Sequence, residues 1–363
     1  PRHKSKLEDQ KELRTFTLVE HDPAKVPDLR RGVERGRILA EATNFARDLA
    51  NEPSNVLTPT EMAERARAKA AEAGLACEVL DREQMRALGM GALLGVAQGS
   101  PQPPAFIVLS YRGNPRAEQA LGLVGKGITF DTGGISLKPA QGMEEMKGDM
   151  SGAGAVIAAV WGLARLKARV NVTALAPCTE NMPGGGAIKP GDLLRAMNGT
   201  TIEVVNTDAE GRLILADALC YARRLRLSPI VDVATLTGAI SVALGNVAMG
   251  LMGNDEALIE RVKQAAACAG EKVWPLPMFE EYREQLKSDV ADLKNTGGRP
   301  AGSITAAWFL REFAGETPWA HIDMAGVDNY DRDKGWIVKG ASGIPVRTLM
   351  HLALRYADEH GRE

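Results

Sequence analysis

The sequence predicts an α/β protein with a mixed, largely parallel central sheet and helices on both faces. Apolar runs of strand length alternate along the chain with segments of helical periodicity, and this alternation favours a parallel sheet that is covered on both sides. Two of the strand candidates, residues 105–109 and 121–124, are apolar throughout, as expected for buried strands. Polar and charged residues follow several strand candidates, at the sheet edge where open α/β sheets bind ligands.

The first predicted elements lie in a polar N-terminal segment. Residues 1–32 are expected to form a linker with one edge strand at residues 16–19. Because the chain begins with Pro1 rather than methionine, we expect it to be processed or to be a fragment. The spacing of apolar residues then predicts a helix at residues 31–49, and Thr58 is expected to cap the next helix.

The remaining elements alternate in type. Helices are predicted at residues 61–74, 82–88, 150–166, 213–226 and 255–269. Strands are predicted at residues 77–80, 105–109, 121–124, 170–175, 202–205, 230–234 and 320–324. The strands that end at residues 124, 205 and 234 should bring Lys126, Asn206 and Thr235 to one edge of the sheet.

Composition argues against several functions. The 363 residues suffice for one large domain, or for a domain and a fragment. With 44 basic and 46 acidic side chains, the net charge of −2 provides no basic field for nucleic acid or an anionic membrane. No apolar stretch reaches transmembrane length. The scattered cysteines, without a CxxC pair, predict buried thiols in a reducing, cytoplasmic compartment: Cys77, Cys178, Cys220 and Cys268.

The most informative segment is residues 206–213, with the sequence NTDAEGRL. Asp208 and Glu210 follow the strand candidate 202–205, and side chains two residues apart at a strand end point the same way. Asp131 precedes a Gly-Gly turn, and Asp149 precedes the helix at 150–166. Taken singly, these residues have simpler interpretations, because Asp131 can cap the turn, Asp149 can cap the helix and the other two can lie in a solvated turn.

Taken together, the four carboxylates predict a metal centre. The topology brings them to one edge, and close carboxylates stay ionised only when positive charge compensates them. Two divalent cations would balance four negative charges, and ligands that are nearly all oxygen favour Mn²⁺, Co²⁺, Mg²⁺ or oxygen-bound Zn²⁺. Two such metals also activate a bridging water as a nucleophile. Lys138 and Arg212, which have no obvious carboxylate partner in the sequence, can stabilise an oxyanion, hold an anion or form ion pairs.

Other chemistries find less support. The glycine-rich stretch around Lys126 lacks the spacing of a phosphate-binding loop. No Gly-x-Ser-x-Gly elbow is present, and His321 lies within a strand pattern that predicts a core histidine. Hydrolysis assisted by two metals is therefore the leading hypothesis.

Several motifs, in order, resemble the leucyl aminopeptidase or cytosol aminopeptidase family (peptidase family M17). The eight residues 206–213 match its sequence signature in full, and the resemblance extends from about residue 33 to the C-terminus. The further matching segments are residues 124–131, 142–150, 233–239, 295–300 and 339–343.

The resemblance implies a site with two zinc or two manganese ions. Asp131 and Glu210 would bridge the metals, Lys126 and Asp149 would complete the tighter site, and Asp208 would complete the more exchangeable one. Lys138 would polarise the scissile carbonyl, and Arg212 would hold a bicarbonate that acts as general base. The residues implied to line the pocket for the N-terminal residue of the substrate are Met146, Asn206, Thr235, Leu236, Gly238 and Ala341, the last standing where some relatives have methionine.

The resemblance also sets expectations for the whole protein. It implies removal of N-terminal residues from peptides with a free N-terminus, leucine and other apolar residues being preferred, and a homohexamer. Residues 33–363 would be the catalytic domain and residues 1–32 the remnant of an N-terminal domain with its linker. Two alternatives stay open, namely another two-metal hydrolase such as a phosphatase, and a DNA-binding or scaffold protein with a dormant site.

Overall fold

The computed structural model describes residues 3–6, 13–333, 335 and 337–359, so Pro1 lies outside the described residues. The chain divides into two compact units, Pro1–Arg37 and Ile38–Glu363. The first unit contains a short 3₁₀ helix at Pro23–Lys25 and the start of a long α-helix. The second contains every other element given below.

The described residues contain ten α-helices and fourteen strands. The helices are α1 (Val26–Asn51), α2 (Pro59–Ala73), α3 (Arg82–Ala87), α4 (Gly91–Val96), α5 (Ser151–Arg165), α6 (Gly211–Arg224), α7 (Gly238–Leu244), α8 (Glu256–Ala269), α9 (Gly302–Ala314) and α10 (Val346–Glu359). The strands are β1 (Ala76–Leu80), β2 (Ala105–Arg112), β3 (Leu121–Gly125), β4 (Gly127–Asp131), β5 (Asn171–Asn181), β6 (Leu193–Arg195), β7 (Thr201–Glu203), β8 (Ile230–Ala234), β9 (Met249–Gly253), β10 (Val273–Pro275), β11 (Leu293–Lys294), β12 (Trp319–Asp323), β13 (Asn329–Tyr330) and β14 (Gly340–Ala341).

The central sheet has the strand order β1-β2-β5-β3-β8-β12-β9-β10, with β4 also paired to β5. Strands β5, β3, β8 and β12 are parallel to one another, and β4 is parallel to β5. Antiparallel pairs lie to either side, between β1, β2 and β5 and between β12 and β9. The prediction of a mixed, largely parallel sheet is therefore confirmed.

The two faces of the sheet are covered by two hydrophobic clusters. Leu123 of β3 packs into a cluster with Val156 of α5 and Leu349 of α10, whereas the next residue, Val124, packs into a cluster with Leu215 of α6. Neighbouring side chains of a strand point to opposite faces, so the continuous apolar run of β3 serves both clusters. The prediction of helices on both faces is confirmed.

Local sequence explains several element ends. Thr58 begins α2, because its Oγ1 accepts a hydrogen bond 3.3 Å long from the backbone N of Glu61, as predicted. The same helix ends at Gly74, whose positive φ of 67° is costly for a residue with a Cβ atom. Most other predicted elements agree with the structure to within a few residues.

Two predictions about strands are wrong. Residues 16–19 form no strand, and Phe16 and Val19 are each 76% exposed, since no described strand pairs with this apolar run. The strand predicted at 202–205 is β7, which belongs to a small separate sheet with β6 and β11 and ends at Glu203. Because residues 204–210 form a loop, the alternation of strand side chains does not explain why Asp208 and Glu210 converge.

The prediction of buried, free cysteines is confirmed in part. All four cysteines are free, but only Cys178 and Cys220 are buried, while Cys77 is half-buried and Cys268 is exposed. Among the described residues, no helix has the length and apolar character needed to cross a membrane.

Candidate metal centre

The centre forms where several parallel strands end. Lys126 links β3 to β4, and its backbone N donates a hydrogen bond 3.0 Å long to the carbonyl of Val233 in β8. Asp131 is the last residue of β4, and Thr235 directly follows β8. The sheet therefore brings the residues that follow these strands to one edge, as the sequence predicted.

One half of the centre is built around the buried side chain of Lys126. Its Nζ lies 2.7 Å from Asp149 Oδ2 and 2.9 Å from Glu210 Oε1. It also donates a hydrogen bond, 3.0 Å long, to the carbonyl of Thr235. The hydroxyl of Thr235 in turn donates to Asp149 Oδ1 at 2.6 Å, which fixes the orientation of that carboxylate.

The other half is built around Lys138. Its Nζ lies 2.8 Å from Asp131 Oδ2 and 2.5 Å from Asp208 Oδ1. Oxygen atoms of Asp131, Asp208 and Glu210 all lie within 4.8 Å of one another. The expectation that Lys138 lacks a carboxylate partner is wrong, because the loop after β4 turns back and places this lysine beside Asp131, at the end of β4, and beside Asp208, which is remote in sequence.

Burial and like charge set the protonation of these groups. Burial raises the pKa of Glu210, and the neighbouring carboxylate of Asp131 adds to the rise. Burial alone would lower the pKa of Lys126, but the carboxylates of Asp149 and Glu210 raise it above its ordinary value. The acids of this centre thus need nearby positive charge to remain ionised.

The side chains fit divalent cations. Asp149 Oδ2 and Asp208 Oδ1 are buried, and each lies close to a lysine Nζ, at 2.7 Å and 2.5 Å respectively. A carboxylate oxygen can accept from more than one partner, so each keeps a lone pair that a cation can use. Carboxylates gathered from three chain segments, with one amine, form a donor set suited to Mn²⁺ or Zn²⁺.

Two glycines make room for the centre. A Cβ atom at Gly211 would lie 2.6 Å from Cε and 2.8 Å from Nζ of Lys126, so only glycine lets this lysine reach Glu210. Gly134 has a positive φ of 66°, and a Cβ atom there would lie 2.8 Å from Asn181 Oδ1. Both glycines therefore allow the close approach of side chains in the centre.

Arg212 lies at the start of α6 and is buried, with 6% of its surface exposed. Its Nη1 donates a hydrogen bond 2.9 Å long to the carbonyl of Asn295, while Nε has no hydrogen-bond partner among the described residues. Burial lowers the pKa of Arg212 to about 10, so the guanidinium remains charged at neutral pH. A buried guanidinium with a free donor can hold an anion.

A cleft of about 610 Å³ opens beside the carboxylates. Its lining includes Asp208 and Arg212, together with three of the residues predicted to bind substrate, namely Asn206, Leu236 and Gly238. Apolar side chains form much of the remaining wall, among them Ala239, Val242, Ala243, Leu276 and Ile304. An apolar group can therefore lie close to the candidate metal centre.

The other predicted substrate residues lie elsewhere. Thr235 holds Asp149 in place, as described above. Met146 lies in the 3₁₀ helix Met143–Gly148, outside the lining of the cleft. Ala341 is buried and lines a different cavity, of about 590 Å³, together with Asn51 and Asp328. The structure thus brings three of the six predicted substrate residues to the cleft.

The structure also tests the simpler, purely structural roles that the sequence suggested for single residues. Asp149 caps no helix, since α5 begins without a side-chain cap. Asp131 does hold its turn, because Oδ1 accepts a hydrogen bond 2.9 Å long from Gly133 N while Oδ2 faces Lys138. His321 is a core histidine, as predicted: it is fully buried, and Nδ1 lies 2.5 Å from Asp232 Oδ1.

Sequence analysis missed two buried asparagines that hold the centre together. Asn181 Nδ2 donates hydrogen bonds to Asp131 Oδ1 at 2.8 Å and to the Thr207 carbonyl at 3.1 Å. Asn295 contacts the loop at residues 205–209 from another side. Asn295 begins a matching segment, whereas Asn181 ends β5, beyond the strand predicted at residues 170–175. The sequence showed the hydrogen-bond partners of neither residue.

Comparisons with known proteins agree with this geometry. The model of the catalytic domain of the cytosol aminopeptidase family matches residues 44–350. A "Probable cytosol aminopeptidase" of Solibacter usitatus (strain Ellin6076) is 58% identical over 348 residues, which cover 95% of this chain and 72% of the relative. A protein of the same name from Alkaliphilus metalliredigens (strain QYMF) is 49% identical, with 96% and 70% covered.

A solved structure is also similar. The bottromycin maturation enzyme BotP in complex with Mn matches with a TM-score of 0.86 at 42% identity, over 90% of this chain and 72% of BotP.

Proposed function

The chain belongs to the cytosol aminopeptidase family of dinuclear metallo-aminopeptidases, and on this basis we propose that it removes N-terminal residues from peptides with a free N-terminus, with leucine and other apolar residues preferred. The observation that carries the proposal is the convergence of Asp131, Asp208 and Glu210 within 4.8 Å, next to a cleft with an apolar wall. The carboxylates would hold metal ions that supply a Lewis acid for hydrolysis, and the apolar wall receives the side chain of the N-terminal residue.

The residues proposed to hold two divalent ions form two overlapping sets. Asp131 and Glu210 belong to both, Lys126 and Asp149 complete the tighter site, and Asp208 completes the more exchangeable site. Lys126 would bind as a neutral amine, because adjacent dications penalise its ammonium form. The ions are Mn²⁺ or Zn²⁺, and the Mn complex of BotP, a similar protein, supports manganese.

The reaction divides between the ions and the side chains around them. When bound, the cations would supply a water of lowered pKa as the nucleophile and a position for the free α-amine of the substrate. The ammonium of Lys138, held 2.8 Å from Asp131, stabilises negative charge that develops on the scissile carbonyl oxygen. Arg212, whose Nε has no hydrogen-bond partner among the described residues, holds a bicarbonate that takes a proton from the nucleophile.

The apolar wall supports the preference for leucine. Val242 is 89% exposed and lines the cleft together with Leu236, so an apolar side chain of a substrate would cover surface that otherwise faces water. Covering it stabilises the complex by about 25 cal/mol for each Å² removed from water. A charged N-terminal side chain gains nothing from this wall.

Further proposals concern the whole protein. We assign residues 33–363 to the catalytic domain and residues 1–32 to a linker segment that precedes it. The subunits form a homohexamer, and the protein acts in the cytoplasm on peptides rather than on nucleic acid. The names of the relatives, which are cytosol aminopeptidases, support the location.

The proposal is tested by removing and restoring the metals. Protein stripped with a chelator is assayed on leucine p-nitroanilide before and after addition of Mn²⁺ or Zn²⁺. N-acetylleucine p-nitroanilide, which lacks the free amine, serves as the blocked control, and p-nitrophenyl phosphate tests the phosphatase alternative.

We expect metal-dependent hydrolysis of the free substrate and none of the blocked one. Hydrolysis that does not return with either metal, or hydrolysis of the phosphate ester alone, contradicts the proposal. Faster hydrolysis of lysine p-nitroanilide than of leucine p-nitroanilide would contradict only the proposed preference for apolar residues.

A further inference from the structure

Asn295 is a fully buried residue outside the proposed metal ligands. Its side chain makes four hydrogen bonds to the loop that carries Asp208. Oδ1 accepts from the backbone N of Val205 at 2.8 Å and of Asn206 at 3.3 Å. Nδ2 donates to the carbonyls of Asn206 at 2.6 Å and Ala209 at 3.5 Å. One amide thus binds four backbone groups of a loop that lacks regular secondary structure.

The backbone of Asn295 makes two further contacts. Its N donates a hydrogen bond 2.9 Å long to the carbonyl of Glu203, the last residue of β7. Its carbonyl accepts the hydrogen bond from Arg212 Nη1, also 2.9 Å long. One residue therefore contacts the loop between β7 and α6 near both ends, and it also anchors the buried guanidinium.

We infer that Asn295 is a positioning residue that fixes the loop with Asp208 and Glu210 and the side chain of Arg212 as one unit. The loop needs such support, because it leaves a strand at Glu203 and enters a helix at Gly211 without pairing to another strand. An amide is suited to this place, since it donates and accepts from one short side chain. Aspartate would keep the acceptor and lose the donor, and alanine would lose both.

The inference predicts an effect on metal binding as well as on turnover. Side chains that orient metal ligands without touching the ion typically change metal affinity or activity by about 10- to 100-fold when they are replaced. Movement of Asp208 weakens the more exchangeable ion, and movement of Arg212 slows the chemical step. Asn295 also binds the backbone of Asn206, which lines the cleft, so KM can rise together with the fall in kcat, and metal affinity is the more direct measure of the positioning role.

A second asparagine provides a matched control. Asn171 is also buried and also binds a loop, since Oδ1 accepts from Asn114 N at 3.0 Å while Nδ2 donates to the carbonyls of Asn114 and Ala117, both at 2.8 Å. It begins β5, whereas the metal centre lies at the other end of that strand, near Asn181. Asn171→Asp therefore reports the general cost of breaking a buried amide network.

The experiment compares Asn295→Ala, Asn295→Asp and Asn171→Asp with the unaltered protein. Calorimetric titration of stripped protein with Mn²⁺ measures metal affinity without reference to activity, and thermal unfolding measures stability. Both Asn295 variants should bind the weaker ion about 10-fold or more less tightly. Their kcat for leucine p-nitroanilide should fall by a similar factor, while Asn171→Asp loses thermal stability but keeps metal affinity and kcat.

The outcomes separate clearly. Mn²⁺ affinity and kcat within twofold of the unaltered protein in a folded Asn295 variant, or losses no larger than those of Asn171→Asp, would overturn the inference. If the alanine variant does not fold, the aspartate variant is judged by the same limits. The kinetic part rests on the proposed function, so an unaltered protein that does not hydrolyse the substrate contradicts that function, while the Mn²⁺ titration still decides the role of Asn295.

Discussion

Lys126 Nζ lies 2.7 Å from Asp149 Oδ2, and both side chains are buried. The same Nζ lies 2.9 Å from Glu210 Oε1, so one buried ammonium faces two buried carboxylates. Metal cations would meet the same electrostatic need that the lysines meet, since both offset carboxylates that burial removes from water. Substitutions can therefore distinguish a proposed metal ligand such as Glu210 from Lys138 and Arg212, which are proposed to act in the reaction itself.

Glu210→Gln should remove at least one metal ion and nearly all turnover while the fold persists. Glu210 is 1% exposed and is proposed to bridge both ions, and an amide of the same shape supplies no negative charge for them. Metal content measured by mass spectrometry of the dialysed protein, together with kcat on leucine p-nitroanilide, checks this prediction.

Glu271→Gln is the matched control for that substitution. Glu271 is also buried, but it accepts hydrogen bonds from the backbone N and the hydroxyl of Thr348 on α10, away from the metal centre. This variant should retain its metals and its turnover. Full activity in Glu210→Gln would reject the bridging role.

Lys138→Met should lower kcat about 100-fold or more while leaving both metal ions bound. The ammonium is proposed to stabilise the oxyanion, and loss of one such donor typically costs about 10²- to 10³-fold in rate. Its side chain is 21% exposed, more than that of Lys126, so the methionine is not forced into a sealed core. Steady-state kinetics and metal content measured on the same sample check the prediction, and a loss of metal with unchanged kcat per metal-loaded centre would contradict it.

Arg212→Met should remove the response of the enzyme to bicarbonate. The guanidinium remains charged near pH 7, because burial lowers its pKa only to about 10. In carbonate-depleted buffer the unaltered protein should gain activity when bicarbonate is added, whereas the variant should stay slow at every bicarbonate concentration. Equal stimulation of both proteins would show that the anion binds elsewhere or is not needed.

The fold was largely predictable from sequence because the hydrophobic pattern is strong. The continuous apolar run of β3 required burial on both faces, and the two clusters around Leu123 and Val124 provide it. The run at residues 16–19 has similar apolar character but forms no strand, because a strand exists only where another strand accepts its hydrogen bonds. Local pattern alone does not report that partner.

Less of the metal centre than of the fold could be predicted from the sequence. Carboxylates at strand ends indicated a metal site, but Lys126 was proposed as a metal ligand only because of the family resemblance, since an amine binds a metal only when surrounding charges favour its neutral form. Asn181 and Asn295 were missed because the partners of an amide lie on loops that only tertiary structure brings close. The convergence of Asp208 and Glu210 was expected for the wrong reason, as a loop rather than a strand places them.

Asp217→Asn should remove the decrease in the free energy of unfolding that this carboxylate causes as the pH rises. Asp217 on α6 is fully buried and accepts hydrogen bonds, each 2.8 Å long, from the backbone N of Leu93 and of Met197. Burial raises its pKa from 3.8 to about 7, although these hydrogen bonds work to lower it. The folded state therefore binds the proton more tightly than the unfolded chain does.

The sign follows from this difference in proton affinity. The contribution of Asp217 to stability is fully present below pH 4 and is lost as pH rises through about 7, because the unfolded carboxylate ionises first. Between pH 5 and 8 the free energy of unfolding of the unaltered protein should fall relative to that of Asp217→Asn by about 3 kcal/mol. Urea unfolding of both proteins across this range measures the difference in the free energy of unfolding. The asparagine amide nitrogen cannot accept one of the two backbone hydrogen bonds, but this loss lowers the stability of the variant by the same amount at every pH. A difference that is independent of pH would mean that Asp217 is ionised in the folded protein and that its backbone donors outweigh its burial.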